Sequence, residues 1–248
     1  MPWSGDVLHI LGDALDNDET VRKVTAVFDA WADAGRAEGM ERGHGPHARQ
    51  AFEMLGLEGV QGPLRYLDIG CGNGYTVRWA AELVRARSCG GLAVGLDGSA
   101  RMVDRARAQS AGLPARFVHT AFPAPVAATG DVAELLVSSC YDAVFSMEVF
   151  YYLPDLAAGL ADVVRLLKPG GRFACVVDFY AENPASHGWP EMLDVPMTLC
   201  SMAQWREAFV AAGLDVVDQQ QLTVPPGEGV EAWKAQCGSL LTLGQRPS

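Results

Sequence analysis

The chain has 248 residues, 49% of them apolar, and 30 acidic against 19 basic side chains give a formal charge of −11. That length and apolar content can bury a full core in one domain of ordinary to large size. So acidic a surface repels phosphate backbones and anionic headgroups, which argues against nucleic acid and membrane as partners.

The opening MPWSGDVLHILGDALDNDE has no basic segment followed by an apolar stretch, and no run approaches the roughly 18 apolar residues of a membrane span, so a cytoplasmic protein is expected. Cys71, Cys89, Cys140, Cys175, Cys200 and Cys237 lie far apart with no C-x-x-C pair, which signals neither a zinc site nor a disulfide framework. Residues 1–60 read as an N-terminal helical cap or lid without a strand of its own. Val21, Val24, Phe28 and Trp31 share one helical face, and GMERGHGPH (39–47) breaks that helix before a second one around ARQAFEMLGL. His44 and His47 are three apart, but Gly43, Gly45 and Pro46 oppose the helix that would align them, so both read as surface-loop residues and no metal is expected.

Residues 61–248 alternate β-rich runs with helix-period segments, the pattern of a parallel sheet covered on both faces. LRYLDIG (64–70) is the first strand, followed by a helix carrying Val77, Ala80, Ala81 and Val84. GLAVGLD (91–97) is the second, followed by the helix SARMVDRARAQ (99–109) with Ser99 as N-cap. RFVHT (116–120) is the third strand, PAPVAATGD (123–131) a surface loop, and YDAVFS (141–146) the fourth strand. Leu156, Leu160, Val163 and Leu167 stripe the next helix, and GRFACVVDF (171–179) is the fifth strand, entered through the turn Pro169, Gly170, Gly171. The helix MAQWREAFVAAG then leads to LDVVDQQQLTV and SLLTLGQRP, an antiparallel pair separated by an irregular segment, 225–238. The expected fold is a doubly wound, seven-stranded, mostly parallel sheet with an antiparallel edge pair and a helical N-terminal cap.

LDIGCGNG (67–74) is a glycine-rich turn between the first strand and its helix, where bare backbone N–H groups can approach a ligand. The dinucleotide fingerprint G-x-G-x-x-G is not met, because the position three after Gly72 is Tyr75. Asp97 ends the second strand, where a carboxylate can accept hydrogen bonds from both hydroxyls of a ribose. Adenosine without a pyrophosphate fits both features.

With YLDIGCGNG, GLDGSARMVDRAR, YDAVFSMEVFYYLPD and RLLKPGGRF in this order, the chain resembles the class I S-adenosylmethionine-dependent methyltransferases over residues 64–245, in particular the small-molecule, ubiquinone-biosynthesis-like branch. The resemblance implies S-adenosyl-L-methionine as cofactor. It implies backbone contacts from Gly70, Cys71 and Gly72 to the methionine part, Asp68 at its amino group, Asp97 at the ribose, and Gly98 and Met102 beside the adenine. Asn73, Gly74 and Ser146 complete the implied cofactor set. Many relatives carry an aspartate after the third strand, where this chain reads Thr120, Ala121, Phe122. Adenine recognition is therefore assigned to Ala121 and Phe122, through their backbones, or to the Thr120 hydroxyl.

Ligand crevices of open α/β sheets lie beyond the carboxyl ends of the strands. Pro154 and Asp155 leave room for about one helical turn over MEVFYY, which sets Glu148 on one face with Tyr151 and Tyr152. Glu148, with Tyr152, is read as catalytic, orienting a cationic amine or taking its proton, while Tyr151 belongs to the substrate site. The long segment 178–197 adds Tyr180, His187 and Trp189 as substrate residues. Methyl transfer is an in-line displacement that needs no covalent enzyme intermediate, so no nucleophile motif is expected. The expected activity is methylation of a small-molecule acceptor at nitrogen or oxygen. A nucleic-acid methyltransferase, which would carry an Asn-Pro-Pro-Tyr type motif where this chain has Ser146, Met147, Glu148 and Val149, and a non-catalytic cofactor-binding protein are the alternatives. The oligomeric state is left open.

Overall fold

The computed structural model describes residues 8–10, 17–124, 128–227 and 230–248. A short strand, β1 (Leu8–Ile10), precedes two helices, α1 (Asn17–Asp33) and α2 (Ala37–Met54). The alternating part follows as β2 (Leu64–Ile69), α3 (Tyr75–Arg85), β3 (Gly91–Asp97), α4 (Ala100–Gln109), β4 (Ala115–His119), α5 (Asp131–Leu135), β5 (Tyr141–Met147), α6 (Leu156–Leu166) and β6 (Leu167–Val177). The remainder is α7 (Trp189–Leu193), β7 (Met197–Leu199), α8 (Met202–Ala212), β8 (Asp215–Leu222), α9 (Ala232–Gln236) and β9 (Ser239–Gln245).

The main sheet has seven strands in the order β4-β3-β2-β5-β6-β9-β8. β2 to β6 run parallel, and β9 pairs antiparallel with both β6 and β8, so the expected fold class is the observed one. The central strands β2, β3 and β5 are mostly apolar on both faces because both faces are covered, whereas the edge strand β8 is more polar and more exposed. One core joins Leu67, Ile69 and Val144 of the sheet to Leu160, Val163 and Phe209 of α6 and α8. The other joins Tyr66, Ala143 and Phe145 to Phe52, Val77 and Ala80 of α2 and α3. Ser99 caps α4 as expected, accepting from the Met102 N–H, and the structure adds a reciprocal capping box of Ser201 and Gln204 that starts α8.

Two expectations for the N-terminal part are corrected. α2 runs unbroken through GMERGHGPH, with Pro46 inside it. Tertiary contacts outweigh the poor local propensity: His47, Ala48, Ala51 and Phe52 are buried against the body, and the Arg49 guanidinium stacks 3.6 Å from the Trp79 ring centre. Glu41 pairs with Arg78, and the Lys234 ammonium donates to the Gly43 carbonyl at 3.2 Å. His44 and His47 are thus helical rather than surface-loop residues, and His47 is fully buried. The same region also carries a strand, since β1 pairs antiparallel with β7 in the register Leu8↔Leu199. The segment 178–197, expected to be irregular, contains α7 and the start of β7. The loop assigned to 123–131 falls partly on 125–127, which lie outside the described residues.

Candidate active site

From β2 the chain builds outward through β3 and β4, then returns to the other side of β2 to build β5 and β6. The reversal between β2 and β5 leaves a crevice beyond their carboxyl ends, the usual ligand position in such sheets. A cavity of about 1170 Å³, counting its open mouth, lies there. Its floor is the β2–α3 turn, the ends of β3 and β5 and residues 120–122, and its roof is α1 and α2.

The turn after β2 is shaped by glycines that have steric reasons to be glycine. Gly70 has φ +73°, and a Cβ there would sit 2.1 Å from the Val149 side chain. Gly74 has φ +82°, and its Cβ would meet the Phe117 ring at 2.7 Å. With the chain folded this way, the Gly72 N–H donates to Asp97 Oδ2 and the Ser99 N–H to Asp97 Oδ1, both at 2.8 Å. The turn and the end of β3 are therefore locked to each other through one carboxylate, which keeps a lone pair on each oxygen for a further donor. Burial pushes the Asp97 carboxyl up to about 6, against the pull of those two N–H groups. Asp68, at the end of β2, accepts from the Thr76 hydroxyl, and burial, with Asp97 adding to it, raises its carboxyl to about 7.

Cys71, Asn73, Gly98, Met102, Ala121 and Phe122 join Asp68, Gly70, Gly72 and Asp97 in the cavity wall, as does Thr120. Asn73 is held there by Glu41 of α2, to which its amide donates at 2.6 Å. Gly74 and Ser146 are not wall residues. Gly74 caps α3 beneath the turn, and the buried Ser146 hydroxyl donates to the Ile69 carbonyl at 2.8 Å, clamping β5 to β2. Its side chain satisfies backbone between strands, so its place beside the glycine turn does not expose it to a ligand.

Glu148 and Tyr152, from the segment after β5, also line the cavity. Glu148 follows β5 with φ +62°, a left-handed conformation costly for a side-chain-bearing residue and typical of sites held by their surroundings. Its Oε2 accepts from the Tyr151 hydroxyl at 2.7 Å and its Oε1 from the Asp178 N–H at 2.5 Å. Burial, reinforced by Asp178, raises the Glu148 carboxyl well above the usual range. Tyr152 packs edge-on to Phe28 of α1, ring centres 5.8 Å apart. Tyr151 sits behind Glu148 in the core rather than in the wall.

The three residues expected from the segment after β6 do not reach the cavity wall. Tyr180 is fully buried with its hydroxyl on the Cys237 carbonyl at 2.9 Å. His187 faces the Ala181 carbonyl, and Trp189 packs edge-on to Trp233 at 6.2 Å. The segment folds back onto the β9 end of the molecule, which removes these side chains from the crevice. Instead the roof supplies Val21, Val24, Thr25, Phe28, Met40, Glu41 and His44, and α3 adds Tyr75. The amphipathic stripe of α1 was the visible signal for Val21, Val24 and Phe28. His44, by contrast, was concealed by the glycines and proline around it.

A family model for the methyltransferase domain matches residues 67–175. A chain of the solved complex between the Haloferax volcanii Trm112 methyltransferase activator and a methyltransferase is 34% identical, with 89% of this chain and 98% of that one covered and a TM-score of 0.72. This chain belongs to the class I S-adenosylmethionine-dependent methyltransferases. Trans-aconitate 2-methyltransferase of Acidovorax sp. (strain JS42) is 26% identical over 78% of this chain and 68% of its own length. The Burkholderia thailandensis 1,6-didemethyltoxoflavin-N1-methyltransferase, solved with 1,6-didemethyltoxoflavin and S-adenosylhomocysteine, shares the fold at 19% identity and a TM-score of 0.68, covering 98% of this chain and 95% of that one.

The enzyme's cofactor is S-adenosylmethionine, and the wall fits its chemistry. Two carboxylates, the buried Asp68 and the part-buried Asp97, face one cavity, and a cation and a pair of hydroxyls are the groups that offset them. Gly72 has no atom within 4 Å of where a side chain would stand, so the turn leaves its backbone open. Among the described residues no helix is long and apolar enough to cross a membrane.

Proposed function

We propose that this methyltransferase methylates a small-molecule acceptor at nitrogen or oxygen, with the acceptor held beside Glu148 in the cavity. The observation that carries the reading is the placement of Glu148. Its carboxylate is fixed by two donors and a constrained backbone in the wall that also contains the glycine turn and Asp97. In this reading Asp68 binds the amino group of the methionine part, Asp97 the ribose hydroxyls, Gly70, Cys71, Gly72 and Asn73 the methionine part, and Gly98, Met102, Ala121 and Phe122 the adenine. When bound, the cofactor supplies an electrophilic methyl group on a sulfonium. The protein's part is to align the nucleophile, exclude water and accept a proton.

The lining supports a neutral or cationic acceptor. Its ionisable acids are Glu41, Asp68, Asp97 and Glu148, and among the described residues it has neither lysine nor arginine. A tricarboxylate such as trans-aconitate would meet like charge without a guanidinium to receive it, and a nucleic-acid backbone would meet the same repulsion. Residues 1–60 act in this reading as a cap over the catalytic domain, residues 61–248, with Phe28 and Tyr152 closing over the acceptor. The unpaired cysteines support a reducing compartment, the cytoplasm.

The test is incubation of the purified enzyme with a fractionated small-metabolite extract and methyl-labelled S-adenosylmethionine, followed by mass identification of the labelled product. A labelled amine or hydroxyl compound is expected. Label found only on RNA, on DNA or on a polycarboxylate would overturn the proposal.

A further inference from the structure

Three side chains from separate parts of the chain converge at the end of β5. His44 comes from α2, Glu148 from the residue after β5, and Asp178 from the residue after β6. One ligand atom of each lies within 4.8 Å of the other two, and His44 Nε2 is 3.9 Å from Asp178 Oδ2. Asp178 is 0% exposed, and neither of its oxygens has a hydrogen-bond partner. Beside it stands the buried Ser239 hydroxyl, a side-chain donor placed to turn toward it. A buried carboxylate with a single hydroxyl beside it and an imidazole 3.9 Å away is costly unless a cation offsets it.

The charges around the cluster supply only part of that offset. Lys234, held on the Gly43 carbonyl at 3.2 Å, acts on both Glu148 and Asp178, one ammonium facing two carboxyl groups. Glu231 pairs with that lysine at 3.7 Å and dilutes it further. Glu148, meanwhile, is oriented as metal-ligating carboxylates are, by outer hydrogen bonds: the Tyr151 hydroxyl and the Asp178 N–H hold its two oxygens.

We propose that His44, Glu148 and Asp178 bind a divalent first-row transition ion, Mn²⁺ or Zn²⁺, at the edge of the cavity. One imidazole with two carboxylates suits these ions, whereas Mg²⁺ and Ca²⁺ favour sites made of oxygen alone. Bonds of about 2.1 Å put tetrahedral ligand atoms roughly 3.4 Å apart, so binding draws the three side chains together by about an ångström. His44 and Glu148 both line the cavity. The ion's remaining positions therefore face the acceptor, and an oxygen or nitrogen nucleophile is the class of ligand they would take. That consequence rests on the proposed function, but the metal site itself does not.

The experiment uses the full-length enzyme, stripped with a chelator and then titrated calorimetrically with Mn²⁺ and with Zn²⁺, with Co²⁺ as a spectroscopic probe. About one equivalent is expected to bind, with visible Co²⁺ bands of a nitrogen- and oxygen-ligated site. Asp178→Asn and His44→Gln should each weaken binding by roughly 100-fold or more, since even outer partners of metal ligands are worth about 10- to 100-fold. S-adenosylhomocysteine titration of each variant reports whether it is folded, independently of the metal and of the acceptor. Absence of saturable binding by the native enzyme would overturn the proposal, as would unchanged metal affinity in two variants that still bind S-adenosylhomocysteine.

Discussion

Two parts of the cavity wall are made of different materials. The part with the glycine turn is mostly backbone, drawn from two strand-to-helix connections near in sequence, residues 67–75 and 96–99, and locked by Asp97 onto Gly72 and Ser99. The part around Glu148 is made of side chains from distant places: Phe28 and His44 from the roof, Glu148 and Tyr152 from the end of β5, with Asp178 behind. Backbone cradles recognise a part common to every cofactor molecule, so little in them needs to vary. Side-chain assemblies select one acceptor among many, and they can be rebuilt without disturbing the sheet.

That contrast is sharpest in Glu148→Gln, which keeps the shape and the bond from the Asp178 N–H, turns the Tyr151 contact into one where the tyrosine oxygen accepts, and removes the proton-accepting group. Turnover on the identified acceptor should fall by about 100-fold or more, the usual size of an acid–base effect, while S-adenosylhomocysteine affinity measured by calorimetry stays unchanged. A parallel loss of cofactor affinity would show that the two parts are one site. The converse variant, Asp97→Ala, should weaken S-adenosylhomocysteine binding by about 1 to 3 kcal/mol through lost charged hydrogen bonds. Its turnover at saturating cofactor should change less than that of Glu148→Gln.

Phe28→Ala probes the roof. It removes the edge-on ring contact to Tyr152, and an aromatic pair of this kind contributes about 0.5 to 1.5 kcal/mol. The acceptor KM should rise by about threefold to tenfold, with cofactor affinity unaffected; an unchanged KM would make the contact purely structural. The smallest effect concerns protons. Asp68 has its carboxyl raised to about 7 by burial, so the folded protein holds a proton there that the unfolded chain has released above about pH 4. This group's contribution to stability therefore declines as pH rises from about 4 to about 7 and is level beyond. In ligand-free protein, thermal melts should show Asp68→Asn gaining on the native enzyme across that window. A gap that is constant with pH would remove Asp68 as a perturbed acid.

Much of this architecture was readable from short windows. The periods of β3, α4 and β5 placed those elements to within a residue or so, and Ser99 and Gly213 marked helix ends. Their determinants are local: alternation, helical spacing, a cap, a positive φ. Gly70 and Asp97 belong with them, since a strand-to-helix turn and a strand-end carboxylate occupy predictable positions once the strand order is parallel.

What the windows could not disclose depends on residues far apart in the chain. α2 persists through Gly43, Gly45 and Pro46 because Phe52, Arg49 and Lys234 engage surfaces that exist only after the sheet has formed. Ser146 and Tyr180 carry hydroxyls of the kind that binds ligands, yet each is consumed by a backbone carbonyl on a neighbouring strand or turn. His44 and Asp178 have no sequence relation to Glu148, being 104 and 30 positions from it, and meet only because α2 roofs the ends of β5 and β6. Hydrophobic period and turn chemistry write the elements into the chain, since both act within a few residues. Which polar side chain ends in a wall, and which is buried against backbone, follows from strand order and helix placement, and no local pattern contains either.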